Sequence, residues 1–288
     1  MQAHGMKLVR FLSLSLVLCA CTGIPLWAQD ALPAAPAAPP AAPAPPPVLT
    51  NTGKPVVVPF QCTSEDVQSA GFSCSEEAPC PMYLELNGAA ATGAKYYLAG
   101  NIHSDAVTLY SILLGSEDSG RTWQEIHPRI RGAGLDHLQF FDASTGWVSG
   151  QQLFPLPQDP FVLLTTDAGK NWRQQPVFGE SAETRFGSIQ EMHFTSKAEG
   201  GLVVDRSQGG DAGPFALYES PDGGESWSIK EHSSKPLHLK GAPAPDAEWR
   251  VRVDGAAKAF VMERKQGERW TAQASFAVSL GSCKLAPQ

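Results

Sequence analysis

Ser116-Glu117-Asp118-Ser119-Gly120-Arg121-Thr122-Trp123 returns as Thr165-Thr166-Asp167-Ala168-Gly169-Lys170-Asn171-Trp172, and again as Ser220-Pro221-Asp222-Gly223-Gly224-Glu225-Ser226-Trp227. One match to Ser/Thr-x-Asp-x-Gly-x-x-Trp arises by chance in roughly one chain in several hundred of this length. Three at similar intervals are a repeat, and the repeat sets the architecture. Each copy follows an apolar run of strand character. The Asp oxygens accept backbone N–H groups inside a tight turn, and Gly takes positive φ without steric cost. The Trp opens the next strand, where its ring anchors the turn to a core. Ser116, Asp118, Gly120 and Trp123 are thus read as one structural corner. Thr165, Asp167, Gly169 and Trp172 form the second, and Ser220, Asp222, Gly224 and Trp227 the third.

A second landmark lies upstream of two corners. Phe140 and Phe141 precede a polar turn and Gly146-Trp147-Val148, and Phe194 precedes a polar turn and Gly200-Gly201-Leu202. The pattern predicts four strands per repeat. They fall at 83–86, 96–101, 109–114 and 123–126 in the first, and at 135–141, 146–150, 161–165 and 172–177 in the second. The third repeat places them at 189–194, 201–205, 215–219 and 227–230. A decayed fourth copy has strands at 249–253 and 259–263. It keeps Gly267 and Trp270 but places Lys265 at the Asp position, so its turn is expected to be less well braced.

The octapeptides resemble the Asp-box (BNR) repeats of sialidase-like β-propellers. The Phe…Gly-Trp-Val segment, with the 163–172 stretch after it, is also similar to the photosystem II assembly factor family. The resemblance covers about residues 82 to 275. It implies an all-β propeller of four-stranded antiparallel blades, four in number or else five. A closed four-bladed ring is the first expectation, and two chains completing an eight-bladed ring, a homodimer, is the alternative. Val56-Val57-Val58 could add an outer strand to the last blade and seal the ring, with Cys283 pinned beside it. In such families the Asp box is a fold element shared by enzymes, receptors and assembly factors. Retaining sialidases need an arginine triad, a Tyr nucleophile with a Glu, and an Asp acid. Pro128-Arg129-Ile130-Arg131 matches their opening motif only at Arg-Ile, so no triad carries over.

Outside the repeats the chain reads as an exported protein. Residues 1–28 have the basic Lys7 and Arg10, an apolar 11–20 run and a small-residue cleavage site at Leu26-Trp27-Ala28, as a signal peptide requires. A lipoprotein signal with Cys21 as the anchored residue and a retained membrane helix are the alternatives. Residues 29–54 form an Ala/Pro-rich linker that favours extended polyproline II. Residues 55–81 are a Cys-containing segment, and 82–288 the propeller. The mature chain keeps Cys62, Cys74, Cys80 and Cys283. An even count in an exported chain favours two disulfides, with three pairings open. A zinc site is the alternative, but no pair has the usual ligand spacing.

The 288 residues carry a formal charge of −7, with 42% hydrophobic content. That balance argues against nucleic acid as the main partner. No Gly-x-Ser-x-Gly elbow, Walker A or dinucleotide fingerprint is present. His103, His127, His137, His193, His232 and His238 lack metal-site spacing. No catalytic residue, metal or cofactor is expected. Binding is expected on the face opposite the corners, where loops vary freely. That face holds His103, Asp105, Arg129, Arg131, Phe154, Leu156, Arg206, Asp211 and Lys235. The apolar Phe154 loop is an interface anchor, or else Phe154 folds down to cap its own blade. The resulting expectation is an exported binding module for a protein or glycan of the cell envelope. A sialidase-like glycoside hydrolase is the alternative.

Overall fold

The computed structural model describes residues 45–155, 160–178, 187–206, 213–242 and 248–283. The leader, Cys21, Leu156 and Asp211 lie outside them. The described chain is nearly all β, with one short helix, α1 (Ser64–Ser69). Its sheets are antiparallel meanders, in which consecutive strands pair as neighbours.

The second repeat forms a four-stranded sheet of β6 (Ala133–Phe140), β7 (Gly146–Gln152), β8 (Pro160–Thr165) and β9 (Arg173–Pro176), paired in chain order. The third does the same with β10 (Ser188–Phe194), β11 (Gly200–Asp205), β12 (Phe215–Ser220) and β13 (Ser228–Ser233). The first repeat supplies β2 (Cys80–Thr92), β3 (Lys95–His103), β4 (Thr108–Ser116) and β5 (Thr122–Glu125). This sheet grows to six strands, because β1 (Leu49–Thr50) pairs with β5 and β17 (Ser279–Cys283) pairs with β2. The fourth sheet has three strands, β14 (Trp249–Asp254), β15 (Ala259–Gln266) and β16 (Arg269–Ala277). Strand β2 runs six residues past its expected end at 86. Asn87-Gly88-Ala89-Ala90-Ala91 has weak strand propensity. Gly88 is nevertheless required there, because a Cβ would lie 2.5 Å from the Asp136 carbonyl on β6.

The N-terminal segment straps the first sheet to the fourth. Val56 forms a parallel bridge to Phe276, donating to Ser275 O and accepting from Ala277 N, both at 2.8 Å. Two disulfides flank it, Cys62–Cys283 and Cys74–Cys80. Val56, Val58, Val67 and Cys74 are buried in one cluster with Leu84, Leu98, Trp123, Met262 and Phe276. The 55–81 segment therefore shares the core of the first and fourth sheets. A second cluster joins the second and third sheets through Trp147, Phe194 and Tyr218, and a third joins the first and second through Ala99, Leu113, Leu135 and Phe161. No helix of the described residues is long and apolar enough to cross a membrane.

Candidate functional site

Each octapeptide folds as a corner braced by its own Ser/Thr and Asp side chains, although the Trp227 Nε1–H of the third is buried without a partner among the described residues. Ser116 Oγ accepts from Gly120 N at 2.9 Å and donates to Asp118 Oδ1 at 2.9 Å. Asp118 Oδ1 also accepts from Arg121 N and Thr122 N, and Oδ2 accepts from the Thr122 hydroxyl at 2.8 Å. The second and third corners repeat the Ser/Thr and Asp bonds through Thr165, Asp167 and Asn171, and through Ser220, Asp222 and Ser226. These bonds favour the carboxylate form. Asp118 is pulled down to about 2, chiefly by the Thr122 N–H, against a smaller opposing effect of burial. Asp167 and Asp222 are lowered too, first by the side chains of Asn171 and Ser226. The residue after each Asp is left-handed, with φ of 60° at Ser119, 63° at Ala168 and 77° at Gly223. Trp123 and Trp172 close their corners by donating Nε1–H to Gly120 O and Gly169 O at 3.0 Å. The fourth copy has no such corner. Gln266 pairs with Arg269 across a hairpin turn of Gly267 and Glu268, and Trp270 lies under the Arg250 guanidinium at 4.1 Å.

The corners are also docking points between sheets. Tyr97 of β3 donates its hydroxyl to Ala168 O in the second corner at 3.0 Å, and stacks on Phe140. Burial, then the charge of Glu117, pushes Tyr97 up to about 12, so it stays a donor. Trp147 of β7 repeats the contact one sheet on. Its Nε1–H reaches Gly223 O at 2.7 Å, and its ring stacks on Phe194 at 3.7 Å. Ala168 and Gly223 hold the same motif position. Tyr97 and Trp147 are equivalent too, each paired with the residue before a corner, Gly115 and Leu164.

The third sheet breaks this relay. The residue paired with Glu219, directly before the third corner, is Gly201. It has no side chain to send onward. The segment after β13 folds back over it instead, and a Cβ on Gly201 would lie 2.7 Å from Leu239 Cδ2. Leu239 N donates to Glu191 Oε2 at 2.9 Å, and His238 Nδ1 lies 2.5 Å from Glu191 Oε1. Burial opposes ionisation of Glu191, but these partners outweigh it and lower its pKa. Around Gly201 a cleft of about 560 Å³ remains. Leu217, Leu237 and Leu239 give it apolar walls, and Glu199, Glu219, Lys230, Glu231 and Lys240 supply charge of both signs. His193 also lines it, lowered by burial toward the neutral form. Among the described residues no group of three or more His, Cys, Asp or Glu side chains is placed to hold a metal.

Among the described residues expected on the opposite face, the two arginines are engaged by neighbouring groups. Arg129 forks onto Glu125 at 2.9 and 2.6 Å and donates to Pro59 O at 2.8 Å. Arg131 reaches Ser69 Oγ, the Tyr110 hydroxyl and Asp66 at 2.9, 3.1 and 3.1 Å. Both arginines therefore clamp the N-terminal segment. Asp66 sits in a capping box with Thr63 and accepts from the Tyr110 hydroxyl. Burial raises its pKa, but these bonds and Arg131 bring it below the usual range. His103 packs on Tyr83, Asp105 is exposed in the β3–β4 loop, and Lys235 is exposed beyond β13. Arg206 N donates to Pro214 O. Phe154 is half-buried, with its amide and that of Leu153 on Gly132 O, while the Leu153 side chain is exposed.

No protein-family model matches the chain, and no curated protein matches it in sequence. Solved structures similar to it include YCF48 from Cyanidioschyzon merolae at 18% identity and a TM-score of 0.36, covering 68% of this chain and 58% of that one. The GH74 xyloglucanase from Xanthomonas campestris is 17% identical with a TM-score of 0.36, covering 64% and 28%. The α-L-arabinanase of Penicillium chrysogenum is 14% identical with a TM-score of 0.37, covering 79% and 66%. The chain thus spans little more than half of YCF48 and under a third of the xyloglucanase.

Proposed function

We propose that this chain is an exported, non-catalytic β-propeller on a four-blade plan, and that it binds a protein of the cell envelope in the cleft over Gly201. The observation that carries the reading is the break in the aromatic relay. Tyr97 and Trp147 fill the corresponding space in the two preceding sheets, whereas Gly201 leaves it to a loop and a cleft. Apolar walls with charges of both signs at the margin suit a polypeptide segment. The Asp-box carboxylates are saturated by their own corners, which supports a bracing role for them. Two disulfides support an oxidising compartment, the setting an export leader implies.

Crosslinking in intact cells followed by affinity capture tests the proposal. The native chain should recover one specific protein, and Gly201→Trp, which fills the cleft, should lose it while keeping the β-sheet circular dichroism signal. Binding on a glycan array or turnover of a sialoside panel, with no protein recovered, would establish the carbohydrate-directed alternative instead.

A further inference from the structure

The fourth sheet is one strand short. The second and third sheets have four strands each, and the fourth has three, with β14 at its edge. The strand it lacks is the first. In the two aromatic seams, the first strand of one sheet packs on the second strand of the sheet before it. Phe140 of β6 stacks on Tyr97 of β3, and Phe194 of β10 stacks on Trp147 of β7. Gly201 of β11 holds the position of Tyr97 and Trp147, and the side chain against it is Leu239. Leu239 therefore stands where Phe140 and Phe194 stand. Residues 236–240 also lie between β13 and β14 in the chain, where a first strand belongs.

These residues keep a strand's pattern without a strand's bonds. Leu237 and Leu239 are half-buried, while Pro236, His238 and Lys240 are exposed, an alternation of period two. Among the described residues, the 236–240 backbone makes no hydrogen bond to another backbone group. The edge of β14 is open as well. Folded chains normally pair such backbone groups and cover such edges.

In the free single chain the two do not meet. The three core clusters join the fourth sheet to the first, the first to the second, and the second to the third; among the described residues none joins the third to the fourth. The two end faces nevertheless complement each other. Glu199, Glu219 and Glu231 outnumber Lys230 and Lys240 around the cleft of the third sheet. On the fourth sheet, strand alternation sets Arg250, Arg252 and Lys265 with Asp254 and Glu263 on the face away from Phe260 and Met262, which belong to the core shared with the first sheet. Arg250 and Arg252 share the Glu263 carboxylate, and among the described residues Lys265 pairs with no acid. One end thus has an excess of acid and the other an excess of base.

We propose that the partner is a second copy of this chain. Residues 236–240 of each copy add to β14 of the other as the absent first strand, and two rows of four sheets close into one ring. The inference rests on the reading of the cleft as a protein-binding face and names its occupant. A two-fold pair makes the contact twice and leaves neither end bare. A foreign protein in the cleft would leave the β14 edge open.

Analytical ultracentrifugation of the full chain over a range of concentrations tests this, together with amine crosslinking of a mixture of unlabelled and isotope-labelled copies. A reversible dimer is expected, with mixed-isotope crosslinks from Lys240 to Lys258 or Lys265. His238→Pro removes one N–H from the added strand and should weaken the dimer by about tenfold or more, whereas His238→Ala keeps that N–H and should weaken it by less than about threefold. Should His238→Pro lose the β-sheet circular dichroism signal, the crosslinks decide. A native chain that is monomeric at every concentration, a dimer that a folded His238→Pro leaves at native affinity, or crosslinks confined to single copies would each overturn the inference. If such a monomer still captures a different protein and loses it on Gly201→Trp, the cleft reading stands without it.

Discussion

The seam between the second and third sheets and the far face of the third sheet begin from the same design and end differently. In the seam, Trp147 is fully buried, stacks on Phe194 and donates to the next corner. On the far face the equivalent residue is Gly201, and Leu239 from a returning loop takes the space. The seam between the fourth and first sheets is a third case. Among the described residues, its corner receives no aromatic donor of the Tyr97 type. Asn51 instead donates from one amide to Gly120 O and Gln273 O at 3.1 and 3.2 Å, Trp123 meets Phe276 edge-on, and the strap adds a disulfide. One repeat therefore yields a seam closed by aromatics, a seam closed by a strap, and a face covered by a returning loop with a cleft beside it.

The largest expected effect breaks the strap. Cys62–Cys283 closes a loop with a sequence separation of 221, against 6 for Cys74–Cys80. In the chain-entropy model these constraints contribute about 5 and about 2 kcal/mol. Urea unfolding of Cys62→Ala/Cys283→Ala should show the larger loss, and Cys74→Ala/Cys80→Ala the smaller. Equal losses would remove the strap's special standing. Next comes the aromatic seam. Trp147→Ala should cost about 3–5 kcal/mol as a large buried ring, and Trp147→Phe less, because it keeps stacking and loses the bond to Gly223 O. Trp270→Ala, in the hairpin that replaced the fourth corner, should cost only about 1 kcal/mol.

The smallest effect sharpens the contrast between true corners and the hairpin. Asp118 is lowered from 3.8 to about 2 in the folded chain, so its contribution is fully present above 3.8 and is lost as pH falls toward 2. Thermal melting followed across that window should fall for the native chain, and Asp118→Asn should flatten part of the fall.

Much of this comparison was legible in the residues. The fixed spacing of the octapeptides placed β4, β5, β8, β9, β12 and β13 to within one to three residues, because the corner chemistry leaves little freedom. The outer strand expected at Val56-Val57-Val58 is reduced to one bridge, Val56 to Phe276, and Val57 and Val58 do not extend it. Trp147 stood out as a landmark, but its partner at Gly223 lies 76 residues away, so its role was not. The same distance problem hid the engagement of Arg129 by Pro59 and of Arg131 by Asp66. Nothing local marked β17, whose pairing with β2 depends on where the last sheet ends. The cleft was invisible because Leu217, Glu219 and Glu231 look like any alternating solvent-facing strand. Only alignment of Gly201 with Trp147 would have revealed it.

Hydrogen exchange on the free chain tests the central claim, that the strap and aromatic seams are closed while the far face of the third sheet is left to the returning loop and its cleft. The amides of Val56, Ala277, Gly169 and Gly224 should exchange only with global unfolding, and those of β13 and of residues 235–241 orders of magnitude faster. Protection of 235–241 equal to that of β11, or fast exchange at Val56 and Ala277, would contradict it.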